Sequence, residues 1–247
     1  MTDDEPIVPS EGGGFFSSLV DVIVSPREAF ARLVAKPGFW LALLFNLVLA
    51  VAFTAIWMHK VDAAEFMKNQ LIESGQWDKM PPENRGQVVE MQSRFFPVFA
   101  WLGAVLGSPI AIFLTAGVLL FVYRFFYAGQ VTFKQSGTIV AYVFAAYGLV
   151  TTPLMLLIFY LKDDWNLNPQ EVIQANLRLL LDRESVSKTL WAFAGSIDLL
   201  SFWLIFMLAA GFGVALKRST GSAAWGVIVP WAVTVLIKVA WTAAFAG

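Results

Sequence analysis

Long apolar stretches separated by short polar ones dominate the chain. The first runs from Pro37 to Met58. Four more follow, at about Phe95–Tyr123, Gly137–Tyr160, Leu190–Leu216 and Ala223–Phe245. Each holds about 20 residues or more, enough at 1.5 Å per residue to cross a ~30 Å hydrocarbon layer. Backbone polar groups inside lipid must be satisfied within the segment, so these runs predict helices. The ten-residue alternation of a membrane barrel is absent. The second run is long enough to leave the membrane at one end.

Around these runs lie amphipathic pieces. Phe15, Phe16, Leu19, Val20 and Ile23 share one helical face. Ser25-Pro26-Arg27-Glu28 then predicts a new helix with a capping box, and Ala29, Phe30, Leu33 and Val34 form its apolar face. Residues 15–36 read as helices lying in the cytoplasmic interface or packed against the bundle. Between His59 and Arg94, Val61, Ala64, Met67, Leu71 and Ile72 keep helical spacing until Gly75 and Pro81-Pro82 break it. Asn168-Pro169-Gln170-Glu171 is a further start signal, and Ile173, Leu177, Leu180 and Leu181 follow as an apolar stripe. The expected organisation is an acidic, disordered tail over 1–14, interfacial helices over 15–36, and a five-span membrane domain over 37–247. Helical loops at 59–94 and 161–188 complete it. The fold class is therefore an all-α integral membrane bundle of five transmembrane helices with interfacial amphipathic helices.

Composition agrees. Of 247 residues 58% are hydrophobic and 14% charged, and the mean hydropathy is +0.67. A net charge of −1 gives no basic footprint for nucleic acid. There is no Cys and one His, so thiolate metal sites, disulfides and His-based metal sites are excluded. No HExxH, GxSxG, P-loop or GxGxxG occurs, and no cofactor is expected. His59 ends the first run beside Lys60 and reads as an interfacial anchor. Asp163-Asp164 read as a solvated helix end.

Orientation rests on the short connections. With the N terminus inside, inner segments hold seven Lys and Arg (27, 32, 36, 124, 134, 217 and 218) and outer segments nine, the latter diluted by eleven acids in two long loops. Long loops translocate with little regard to charge, whereas 124–134 and 217–222 carry cations and no acid. The N terminus is expected in the cytoplasm and the C terminus outside.

A charge at the bilayer centre costs ~2.5–3.5 kcal/mol on insertion scales, which draws attention to Asp198 and Lys238. Counted along continuous helices, both lie about 10–14 Å deep on consecutive antiparallel spans. An ion pair is expected, either locking two helices or lining a path for protons, ions or lipids; the other reading has Lys238 snorkelling outwards without a partner. Asn46 is expected to make a helix–helix hydrogen bond. Ser108-Pro109, Thr151-Thr152-Pro153 and Pro230 predict kinks. Gly103, Gly107, Gly211 and Gly213 predict close helix approach. Lys217-Arg218 lie in a tight basic turn that either touches lipid phosphates or sets topology.

Ser196-Ile197-Asp198-Leu199-Leu200-Ser201-Phe202-Trp203, then Gly211 and Lys217-Arg218-Ser219, resemble the fourth-span pattern of Yip-domain (Ypt-interacting protein) membrane proteins. Ser25-Pro26-Arg27-Glu28-Ala29-Phe30 before Pro37 resembles the start of the bacterial branch, and Gly129-Gln130-Val131-Thr132-Phe133-Lys134-Gln135 also fits. Asp198, Trp203 and Gly211 match the motif. The resemblance extends from about residue 15 onward. It implies a five-span bundle with a cytoplasmic N terminus, in the bacterial inner membrane. Eukaryotic relatives act in vesicle traffic with Rab-type GTPases and in membrane shaping. The expectation is a non-enzymatic scaffold or interaction module whose partners are membrane lipids, other membrane proteins or further copies of itself. The alternative is a transporter or channel using Asp198 and Lys238.

Overall fold

A computed structural model describes residues 13–183 and 185–245; nearly all of the expected 1–14 tail lies outside them. Four helices are long and apolar enough to cross a membrane. The first is α3 (Trp40–Lys60). The second is a rod of 46 residues, in which α6 (Pro82–Leu102) passes through a π-helical segment (Gly103–Gly107) into α7 (Ser108–Tyr127). The third is α8 (Phe133–Lys162) and the fourth α11 (Thr220–Phe245). The rod is about 69 Å long, so its charged start, with Glu83, Arg85, Glu90 and Arg94, stands beyond a ~30 Å layer.

The fourth apolar run is not one helix. It divides into α9 (Lys188–Ala194) and α10 (Leu199–Ala215), the latter 17 residues and about 25 Å long. The cause is local. Backbone groups of Ala175 and Leu177 pair with Leu199 and Ile197, giving an antiparallel bridge between Asn176 and Asp198. A chain so paired cannot also close i→i−4 bonds through 195–198. The same pairing undoes the helical cap expected at 161–188. Asn168 makes an Asx turn to the Gln170 amide, and only a 3₁₀ turn (Leu177–Leu180) follows, with Leu177, Leu179 and Leu180 exposed.

Helix α8 is the centre of the bundle. Every residue from Ser136 to Val143 is buried, so this stretch lacks the polar face of a surface helix. Helices α3, α7 and α10 pack against it, as do α1 (Phe15–Val24) and α2 (Pro26–Ala35). Leu19, Val22, Ala29 and Phe30 are fully buried. Of the two readings of 15–36, packing against the bundle is therefore the one realised. Phe16, Val20 and Val24 stay exposed on the outward face of α1.

Glycine provides the closest approach. A Cβ at Gly211 would meet Ile139 at 2.5 Å and the Phe30 ring at 3.2 Å, so α2, α8 and α10 converge there. Gly226 does the same for the Tyr123 ring, a contact with no sequence signal. Gly213 faces the Arg218 carbonyl at 3.2 Å. Gly103 and Gly107, by contrast, face open space and mediate no close approach. They lie in the π segment just ahead of Pro109, whose missing N–H leaves the Val105 carbonyl without its α-helical donor.

Helix starts follow capping chemistry, with one correction. Ser25 makes no side-chain cap, and its backbone N–H, which Glu28 would hold in a box, bonds the Asp21 carbonyl at 2.7 Å instead. The capping box forms instead at α8, between Thr132 and Gln135, and the Gln135 amide also reaches the Val34 carbonyl at 3.3 Å. Asp62 caps α4 (Ala63–Glu73). That helix, its short follower α5 (Gln76–Lys79), and a second core of Trp57, Phe66, Phe96, Phe159 and Trp165 close the loop end of the bundle.

Three substitutions test this packing and capping. Gly211→Leu should destabilise the detergent-solubilised protein by about 1–3 kcal/mol, the usual range for overpacking. Thermal unfolding would show it, and an unchanged midpoint would refute the convergence at Gly211. Thr132→Ala should cost about 1 kcal/mol, the worth of a cap, whereas Ser25→Ala should stay within about 0.5 kcal/mol.

Candidate functional site

The candidate residues fall into two groups at opposite ends of the bundle. At the loop end, Asp198 stands as N-cap of α10. One carboxylate oxygen accepts from the amides of Leu200 at 2.6 Å and Ser201 at 3.4 Å. It lines a chamber of about 290 Å³ with Phe53, Tyr147 and Gln170. Tyr147 stacks at a tilt on Trp203, with ring centroids 5.9 Å apart. A second chamber of about 420 Å³ shares Phe53, Tyr147 and Met155 with the first and continues between α3, α8 and α10 to Asn46 and Ser108. Asn46 donates to Ala42 O at 2.7 Å and, across helices, to Ala141 O at 3.1 Å, the expected helix–helix bond. The structure thus brings Asp198 and Asn46 to adjoining chambers that share Tyr147, while Trp203 packs on Tyr147 and lines neither. Tyr147 sits in an apolar run and nothing in the sequence marked it.

The Asp198–Lys238 ion pair does not form. The ion pairs among the described residues are Asp21–Arg32 and Glu171–Arg178. Lys238 is exposed on α11. The depth count that placed both groups at one level assumed a helix continuous from Thr189. The break at 195–198 makes Asp198 the N-cap of α10, and it lines a chamber with residues of α3 and α8.

The other end is basic. Helix α10 finishes in a Schellman turn, with the Lys217 amide on Val214 O at 3.0 Å and the Arg218 amide on Gly213 O at 2.8 Å. Lys217 occupies the left-handed position at φ +52°, where glycine is the usual choice. Arg27 reaches across from α2 to Arg218 O at 3.4 Å and Thr220 Oγ1 at 3.0 Å. The Arg218 guanidinium lies 5.6 Å from the Tyr127 ring centre. Tyr123 and Tyr127 donate to Ala223 O and Ser222 O, at 2.6 and 3.2 Å. Arg124 donates to Val131 O at 2.9 Å. Arg27, Arg124, Lys134, Lys217 and Arg218 are all exposed there. The described acids of this end are Asp21, already paired, and Glu28.

Arg178 organises the loop end. It bonds Glu171 at 2.9 Å and Trp191 O at 3.0 Å, and lies 5.1 Å over the Trp191 ring. Glu73, in the adjoining loop, has its carboxyl held above the ordinary value by partial burial and, less, by the charge of Glu171. No group of three metal-ligating side chains occurs among the described residues.

Neither a curated protein nor a solved structure matches the chain significantly. A family model does: the Yip1 domain matches residues 20–242. That match takes in both the cleft with Asp198 and the basic turn at Lys217-Arg218, and the chain is a membrane protein belonging to the Yip1 domain family.

Proposed function

We propose that this protein is a non-enzymatic scaffold of membrane organisation or trafficking that holds anionic lipid headgroups on its basic end. Lys217 carries the reading. A left-handed backbone costs an ordinary side chain roughly 1 kcal/mol or more, and glycine would avoid that at φ +52°. A cation stands there instead, beside Arg218 and the exposed start of α11. Each Lys or Arg near an anionic membrane surface is worth ~1 kcal/mol, so the cluster amounts to a substantial attraction. Arg27 and the two tyrosines fix the turn from α2 and α7, so its cations project from a rigid base.

The same charge asymmetry supports placing the basic end in the cytoplasm of a bacterial plasma membrane. Helix α10 then serves as a fifth span. Its length falls short of the hydrocarbon layer by a few ångströms, which local bilayer thinning accommodates at modest cost. The N terminus is inside and the C terminus outside. Exposed apolar faces on α7 and α11 suit lipid, other membrane proteins or further copies of the chain. The transporter alternative loses the ion pair that motivated it.

Lipid retention by the purified full chain tests the headgroup reading. In mixed phosphatidylglycerol and phosphatidylcholine, native mass spectrometry should show preferential retention of phosphatidylglycerol that weakens several-fold in the Lys217→Gly, Arg218→Ala double variant. Lys217→Gly alone should melt no lower than the parent, because the turn is relieved. Unchanged retention in the double variant would remove the proposal. Tags on the two ends should label from opposite sides of the bilayer; labelling from one side would remove the fifth span.

A further inference from the structure

The cleft at the other end carries a different chemistry. Its inner chamber is apolar except for Asn46, Ser108, Tyr147 and Thr152. The hydroxyls of Ser108, Tyr147 and Thr152 have no protein hydrogen-bond partner among the described residues, and they border the cavity. All are neutral. The outer chamber holds one charge, Asp198, and the rings of Phe53 and Tyr147 line the same chamber. The Asp198 cap uses a single carboxylate oxygen, Oδ1, and leaves Oδ2 without a protein partner among the described residues. No Lys, Arg or His lines either chamber.

A carboxylate sharing a chamber with aromatic rings is the chemistry that recognises an ammonium group. A narrow apolar extension with scattered neutral hydroxyls is the chemistry of an aliphatic chain with an ester or hydroxyl near its root. The chambers, about 290 and 420 Å³, fall at the small end of the range of ligand pockets, ~300–1,000 Å³. The order also fits. The charged chamber lies toward the loop end, where headgroups sit, and the apolar one runs inward along α3 from Phe53 to Asn46.

We propose that the cleft between α3, α8 and α10 binds one bilayer lipid bearing a free ammonium head, with the ammonium on Asp198 and a chain lying against Tyr147 and Asn46. This site extends the lipid-binding reading to the opposite end of the bundle and to the opposite headgroup charge. An anionic lipid is disfavoured here, because Asp198 repels it and no cation lines the chambers.

Asp198→Asn isolates the charge. Asparagine caps helices about as well as aspartate, so the start of α10 is kept while the ammonium partner is lost. Ala50→Phe fills the inner chamber, which Ala50 lines. The full chain would be offered dioleoyl phosphatidylethanolamine and dioleoyl phosphatidylglycerol at equal concentration, and retention followed by native mass spectrometry. The cleft-bound lipid is the fraction that Ala50→Phe removes. In the parent this fraction should favour phosphatidylethanolamine about tenfold, the effect of one charge-assisted contact. In Asp198→Asn the preference should fall to about twofold or less, with an unchanged unfolding midpoint. Should Ala50→Phe fail to fold, Leu204→Phe fills the same chamber from the α10 wall. Equal retention of the two lipids by the parent, or a preference untouched by Asp198→Asn, would overturn the proposal. The Lys217→Gly, Arg218→Ala variant should leave the cleft fraction unchanged, so failure at one end is distinguishable from failure at the other.

Discussion

The carboxylate of Asp198 decides how the second half of the molecule is built. A helix leaves its first N–H groups without intrahelical partners, and Asp198 holds two of those of α10. Once α10 begins there, residues 195–198 are free to leave the helix. Their neighbours pair with 175–177, and the loop that would otherwise cover the bundle as a helix is drawn down as extended backbone. The same residue lines a chamber with residues of α3 and α8 and supplies the one charge of the cleft. An acid that looked expensive in an apolar run is thus a cap at a boundary.

The basic end solves a related problem by other means. Three segments that meet there, the start of α2, the end of α7 and the α10–α11 turn, are far apart in sequence. Carbonyls at Arg218, Ser222 and Ala223, and at Val131 in the α7–α8 connection, accept from Arg27, Tyr127, Tyr123 and Arg124. Donors with long or rigid reach do this well, since a carbonyl left bare at a bundle end is costly. Cations placed for that purpose also build an electrostatic face. Structure and surface chemistry share the same arginines, while Lys217 accepts no such internal duty.

Between the two ends, α8 holds the bundle together through small residues and hydroxyls rather than through bulk. Gly137 admits the Phe39 ring, Ala141, Ala145 and Ala146 are buried, and Ser136 donates to Ala116 O at 2.7 Å across helices. Lipid tails are as apolar as leucine, so such close packing and interhelical bonding supply what hydrophobic burial cannot in a membrane. The cleft opens where this packing relaxes, beside Tyr147 and Gly148.

Much of this was legible in one dimension. Apolar run length reports a membrane helix directly, because the bilayer sets the length and the backbone sets the conformation. The breaks at Gly75 and Pro81-Pro82, the helix bond of Asn46 and the long second rod all follow from such local rules. The short motif around Asp198 and Trp203 was enough to suggest the family. What the sequence misjudged depends on partners distant along the chain. Asp198 begins a helix while the chain before it pairs with 175–177; the Ser25 amide that a box would use is taken by the Asp21 carbonyl; Gly211 admits Phe30 while Gly103 admits nothing. Hydropathy and periodicity carry the first kind of information, since they describe a segment against its solvent. Only the tertiary structure decides the second, since a polar or small side chain takes its role from whichever neighbour the packing delivers.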